Sequence, residues 1–197
     1  RKAFPIFDKA NKVGNVAWTA MDPPLRETML VRGDVDAITG FTFTSLLNLE
    51  ARGAKAQDVV VLPYADYGVK LYGNVIIASP KLIKDNPEAI KKFLTGFAQG
   101  AKDVMAHPAE AIQSVKARDG IANVALETRR LQLAIDTVVN SPDARKEGFG
   151  QIDTSRLSLM ASQVSDAYGT KTRVKAADVW NGSFLPAASV LDVLPKK

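Results

Sequence analysis

The chain has no cysteine and a single histidine, His107, among 197 residues. Without cysteine there is no disulfide, no thiolate zinc site and no cysteine nucleophile. With one imidazole and no paired-carboxylate motif, little remains for general acid–base or nucleophilic catalysis. Dinucleotide-binding, P-loop and zinc-protease fingerprints are absent as well. The chain is therefore expected to be no enzyme, with no catalytic residue, no metal and no cofactor. Aromatic residues make up only 7% of it, and no apolar run approaches the roughly 20 residues that span a bilayer. The net charge is +5, but 26 basic and 21 acidic residues are interspersed. There is no basic stripe with interleaved aromatics, so nucleic acid is not an expected partner. The lack of cysteine fits an oxidising compartment such as the periplasm.

Apolar residues are ordinary in number, 46%, enough for one large domain or two small ones. The first third alternates candidate strands with candidate helices. "NVAWTAM", Asn15 to Met21, reads as a strand. Pro23 or Pro24 opens a helix that ends near Arg32, with Gly33 placed to take a positive φ. Val35 to Ile38 reads as a second strand, Phe43 to Arg52 as a second helix and "DVVVL", Asp58 to Leu62, as a third strand. Strands joined by helices imply parallel pairing, and such sheets are buried on both faces, which accounts for a run such as Val59-Val60-Val61. "PYADYGVKLYGNVIIASP" follows, ending in a fourth strand, Asn74 to Ala78. Beyond it the pattern is helical. Asn86-Pro87 is an N-cap with proline at the first helical position. Ile90, Phe93, Leu94, Phe97, Ala101, Val104 and Met105 mark one helix face. Further helices follow His107-Pro108, run through Leu131 to Val139, and start at Asp153. There is no internal repeat.

The succession "MDPPLRETMLVRGDVDAITGF", "VVVLPYADYGVKLYGNVIIAS" and "KDNPEAIKKFLTGFAQG" resembles the solute-binding proteins of bacterial ABC importers. The nearest group is the nitrate/sulfonate/taurine and thiamine-pyrimidine binders, the SsuA/THI5-like family. The resemblance runs from about Phe4 to about Tyr168. It implies an α/β, type II periplasmic-binding fold: two lobes with parallel-sheet βα units, a helical C-terminal half and a ligand between the lobes. Residues 1–67 would form the second lobe. Residues 68–197 would supply the return hinge strand and the helical part of the first lobe. The chain opens "RKAFPIFDKAN" without Met, so the resemblance also implies that the first strands of one lobe are missing. The protein would then be periplasmic, or lipid-anchored if the missing part carries a lipobox, and the piece would self-associate. The implied partners are a small-molecule ligand and a membrane permease. Alternatives are the effector domain of a LysR-type regulator, against which the long helical half argues, and a pyrimidine-synthesis enzyme, whose cysteine-rich segment is absent.

Seven residues are candidates for ligand contact. Thr39, Gly40 and Phe41 form the loop after the second candidate strand, where open α/β sheets hold ligands. Gly40 would let a ligand approach the backbone, the following helix start would receive an anionic head group, and Phe41 would be a wall. Tyr64, Asp66, Tyr72 and Asn74 form the other group; tyrosine combines a flat apolar face with a polar tip. Tyr67 lies among them, with packing the alternative role for these tyrosines. Asp36 is expected to be a buried carboxylate that bonds loop N–H groups, Trp18 to pack in the core, His107 to cap a helix, and Trp180 and Phe184 to pin the tail. No Lys or Arg is assigned as the partner of an anion.

Overall fold

Several helices begin where the sequence supplies an acceptor side chain or a proline. The computed structural model describes residues 3–194. The helices that matter to the site are α1 (Phe4–Asn11), α2 (Arg26–Arg32) and α3 (Thr42–Glu50), followed by α4 (Pro80–Asp85), α5 (Pro87–Ala106), α6 (Pro108–Arg118), α7 (Val124–Ala134), α8 (Pro142–Glu147) and α9 (Thr154–Tyr168), with two short turns of helix, α10 (Ala176–Val179) and α11 (Ala188–Leu191), near the C-terminus. Ser79 Oγ, Asn86 Oδ1, Asn123 Oδ1 and Ser141 Oγ each accept the N–H three residues on, at 3.1 Å, and so cap α4, α5, α7 and α8. Gly33 ends α2 at φ 77°, where its N–H and that of Asp34 reach Leu30 O and Met29 O. That left-handed closure is cheap only for glycine. His107 separates α5 from α6 without any side-chain cap bond.

The chain divides into two compact units. The first runs through Leu71 and takes in Leu159–Val174; the second comprises Tyr72–Ser158 and the segment from Lys175 onward. In the first unit, Ile6, Phe7 and Val69 form the buried core, with Phe4, Tyr64, Leu71, Val164 and Ala167 packed around them. A separate contact joins α2 to α3. In the second unit α5 packs against α4, α6 and α11, and α6 against α7. Ile90, Ala98, Ile112, Ile135, Leu157, Leu191 and Val193 are its buried apolar residues. Trp180 and Phe184 are half-buried, and the turn Gly182–Phe184 meets α5.

The expected α/β architecture with parallel sheets is not what forms. Among the described residues there is no strand and no sheet. The segments 15–21, 35–38, 59–62 and 74–78 are irregular, and residues 56–58 make a 3-10 turn instead of opening a strand. None of these segments exchanges ladder hydrogen bonds with another. β-branched residues favour an extended backbone, but a strand exists only through its neighbours, and these segments have none. Their side chains are accordingly open: Val60 is 83% exposed and Ile77 86%. The type II periplasmic-binding fold inferred from the resemblance is thus corrected to an all-helical arrangement with extended connections.

Smaller expectations change too. Asp36 is exposed, not a buried carboxylate, and accepts no hydrogen bond among the described residues. Trp18 stands edge-on to Phe4, with ring centroids 5.0 Å apart, but keeps much of its surface open. Phe93 and Phe97 point outward on α5 and stack in a row with Phe149, while Ile90 and Ala98 face the core.

Two outcomes test this architecture. Amides of 59–62 and 74–78 should exchange with solvent far faster than those of α5, since protection follows hydrogen bonding; protected amides there would require a ladder. Phe7→Ala should lower the unfolding free energy in urea by about 3 kcal/mol, as for other buried aromatic truncations.

Candidate functional site

The loop 39–41 owes its shape to two helices of the first unit. Position 27 on α2 lies one turn before Leu30 and position 45 on α3 one turn before Leu49, so both sit where the helical period calls for an apolar residue. They are Glu27 and Ser45, 1% and 9% exposed. A buried carboxylate must be satisfied, and Ser45 Oγ donates to Glu27 Oε1 at 2.9 Å. Arg26, next in sequence, places Nη2 3.8 Å from the same carboxylate oxygen. Its Nη1 donates to Thr39 O at 2.7 Å and its Nε to Pro23 O at 3.2 Å. Thr39 is half-buried, and the Arg26 side chain keeps 30% of its surface open.

Gly40 lies against this pair. A Cβ there would come within 2.2 Å of Ser45 Oγ and 3.8 Å of Arg26 Nη1. Its backbone is not in the left-handed region, so the need for glycine is steric. Phe41 precedes α3 in an extended conformation, φ −87° and ψ 132°, and gives the helix no side-chain cap. The amides of Thr44 and Ser45 close on Phe41 O at 3.0 and 2.8 Å. The Phe41 ring is 53% exposed and stacks on Phe43 at 5.5 Å. An exposed aromatic wall, an uncapped helix start and a partly open guanidinium therefore meet within one loop, a combination suited to an anion carrying an apolar body.

The other four candidates are placed differently. Tyr64 and Asp66 belong to a 3-10 turn, Tyr64–Tyr67, in the first unit. Tyr64 is a core residue: its ring stacks on Phe7 at 5.0 Å, and its hydroxyl is buried with no hydrogen-bond partner among the described residues. That burial pushes the phenol pKa up. Asp66 is exposed. Tyr67 meets Phe7 edge-on at 5.5 Å.

Tyr72 and Asn74 belong to the second unit. The Tyr72 hydroxyl accepts the Asp153 N–H at 2.8 Å, and the Arg156 guanidinium lies 4.3 Å above the Tyr72 ring. Arg156 also pairs with Asp143, while Asp153 Oδ1 accepts from the Arg156 N–H at 2.8 Å and from the Ser155 hydroxyl. The Ser155 hydroxyl, then the Arg156 amide, holds the Asp153 carboxyl below the usual carboxylate range. Asn74 is exposed on the extended segment that follows. Thr39, Gly40 and Phe41 are thus brought together with Arg26, whereas Tyr64 packs a core and Tyr72 anchors the start of α9. Arg26, Glu27, Ser45, Arg156 and Asp143 were not foreseen. The available signal was a polar residue on an apolar helix face, at 27 and again at 45.

Two surface hollows of about 470 and 340 Å³ lie elsewhere, one lined by Lys102, Met105 and Asp192, the other by Ile6, Lys9 and Gln163. Neither includes a candidate residue. No group of side chains among the described residues is arranged to hold a metal ion, and no described helix is long and apolar enough to cross a membrane.

Residues 11–111, just over half of the chain, match a family model described as NMT1/THI5 like. The matched stretch contains all seven candidates and the Arg26–Glu27–Ser45 network, and stops short of Asp143, Asp153 and Arg156. No curated protein and no solved structure matches the chain.

The lowered pKa of Asp153 gives a signed pH effect. A carboxyl whose pKa is depressed on folding contributes stability above its unfolded pKa and loses it as pH falls through the folded one. Asp153→Asn retains a capping oxygen but does not titrate. The margin in Tm of the wild type over Asp153→Asn should therefore narrow as pH is lowered from neutral through the carboxylate range. A constant margin would remove Asp153 from the acid response.

Proposed function

The chain belongs to the NMT1/THI5-like family, a family typical of the substrate-binding proteins of ABC transporters, and on that premise we propose that it captures a small organic anion or heterocycle in the periplasm and delivers it to a membrane permease. The observation that carries the ligand class is the Thr39–Phe41 loop. There Arg26 lies against the Thr39 carbonyl at 2.7 Å beside an uncapped helix start, and Phe41 offers an open ring face. An anionic head group gains from the helix start and from spare guanidinium donors, while a flat or apolar body gains from the ring. Sulfonates, nitrate, taurine and thiamine-pyrimidine precursors are the compounds to try first.

The activity is binding without bond making. A chain with one histidine and no cysteine has few groups for proton transfer or nucleophilic attack; among the described residues no metal-ligand cluster stands at the loop, and the one hydroxyl–carboxylate pair beside it, Ser45 with Glu27, is buried. Glu27 and Ser45 engage each other below it.

Native mass spectrometry of the freshly purified chain, followed by calorimetric titration of the retained compound, tests the proposal. Arg26→Ala and Phe41→Ala should each weaken binding by about tenfold or more, equivalent to about 1.4 kcal/mol. Phe41→Ala should do so with little change in Tm, because the ring is already 53% exposed. Unchanged affinity in both variants would move the ligand away from this loop. Turnover of the compound instead of its recovery intact would overturn the binding assignment.

A further inference from the structure

The proposed ligand loop does not hold itself. Its backbone is gripped from below by Arg26 Nη1 on Thr39 O, and its central residue is confined by Ser45 Oγ. Both gripping side chains meet at Glu27, which is 1% exposed. We propose that the buried Glu27–Ser45 pair is a positioning device: it fixes the path of the Thr39-Gly40-Phe41 loop and holds the Arg26 guanidinium at the loop's edge, where an anionic head group would meet it. The significance for binding rests on the functional assignment above; the positioning itself does not.

The physical case has three steps. Burying a carboxylate and a hydroxyl between two helices adds little or nothing to stability compared with apolar residues of the same shape. A polar pair at such positions, 2.9 Å apart, is therefore a weak device for merely packing α2 on α3. Next, the Ser45 hydroxyl cannot swing aside to admit a side chain at position 40, because that would leave Glu27 without its hydrogen bond. The required approach of Gly40 thus follows from Glu27 through Ser45. Last, Arg26 stands 3.8 Å from the same carboxylate oxygen, so the charge that orients it lies beneath the loop and leaves part of the guanidinium open. The contact between α2 and α3 has an independent clamp, Arg52 Nε donating to Thr28 Oγ1 at 2.8 Å. That clamp serves as an internal control.

The test replaces both partners at once, Glu27→Met with Ser45→Ala, so that no buried polar group is orphaned. The double variant should melt within a few degrees of the wild type, or above it. In nitrogen-resolved NMR, the Arg26 Nε–Hε signal should shift and its exchange with water should quicken by about tenfold, while the Arg52 Nε–Hε signal keeps its position and rate. Gly40→Ala alone should lower Tm by about 5 °C. On the double-variant background it should add no further loss, since the obstructing oxygen is gone. An Arg26 signal that does not respond would show that the pair only fills space. Arg26 and Arg52 signals that change together would show general loosening of α2 on α3. Equal Tm losses for Gly40→Ala on both backgrounds would uncouple Gly40 from Ser45. Each of these results overturns the proposal.

Titration with methanesulfonate, read at the Gly40 amide, separates it from the functional assignment. Saturable shifts in the wild type, weakened about tenfold in the double variant, support both. An unresponsive wild type whose Arg26 signal still depends on Glu27 and Ser45 removes the anion assignment and supports the positioning.

Discussion

A carboxylate enclosed between two helices is the constraint from which the candidate site follows. Leaving such a group unpaired costs several kcal/mol, so every neighbour must be arranged around it. Glu27 meets that demand with the Ser45 hydroxyl at 2.9 Å and the Arg26 guanidinium at 3.8 Å. Ser45 then excludes any side chain at position 40, and Arg26 reaches on to the Thr39 carbonyl. One buried charge thereby dictates a glycine, a loop path and the place of a partly open cation. A leucine at position 27 would satisfy the helix period equally well and dictate none of these.

The second unit uses the same chemistry for a different purpose. Tyr72 receives the Asp153 amide and lies beneath Arg156, which pairs with Asp143. Every polar group in this cluster is engaged at the start of α9, which makes it an anchor for a helix terminus rather than an open site. The contrast with the first unit lies in the aromatic side chain. The two guanidinium side chains are about equally open, 30% for Arg26 and 26% for Arg156, but Phe41 is 53% exposed beside an uncapped helix start. Tyr72 is half-buried, its ring under Arg156 and its hydroxyl taken by the Asp153 amide. Tyrosine near asparagine in a sequence suggests a ligand contact, but the outcome depends on whether a neighbouring helix terminus claims the phenol first.

Helices were legible because their signals are local. Asn86-Pro87 supplies a cap and a preset φ within two residues, and Gly33 supplies the only cheap way to close α2; Ser79-Pro80 and Ser141-Pro142 carry the same local signal, although α4 and α8 were not expected. Strands were not legible because their signal is half of a pair. Val59-Val60-Val61 and Val75-Ile76-Ile77 carry the right propensity, yet propensity cannot name the partner that would supply the ladder. The exposed Val60 and Ile77 show the result when no described segment does so. At the candidate site, the loop 39–41 was chosen as the loop after an expected strand, Val35 to Ile38, that does not form, and Phe41 as an apolar wall. Arg26 was missed because its link to Thr39 spans thirteen positions and leaves no periodic trace. Gly40 was expected to let a ligand approach the backbone, whereas what the structure shows at this position is Ser45 Oγ excluding a Cβ.

Magnitudes set what this loop can do by itself. A helix start contributes about 0.3–1 kcal/mol toward an anion, and up to about 2 where partly buried. A charge-assisted hydrogen bond from Arg26 adds about 1.5–3 kcal/mol. An aromatic face such as that of Phe41 contributes about 0.5–1.5 kcal/mol beyond its buried area. Together these fall short of the roughly 8 kcal/mol that micromolar affinity requires, and association has its own entropic cost. Under the proposed function the loop would be a discriminating element rather than a complete binding site: it would select charge and fix orientation, while the remaining affinity would come from contacts to the ligand's body beyond Thr39, Gly40 and Phe41. For that reason its positioning matters more than its strength. Charge-assisted hydrogen bonds lose their value steeply with distance and angle, so a guanidinium displaced by an ångström would forfeit most of the selectivity that the loop can give.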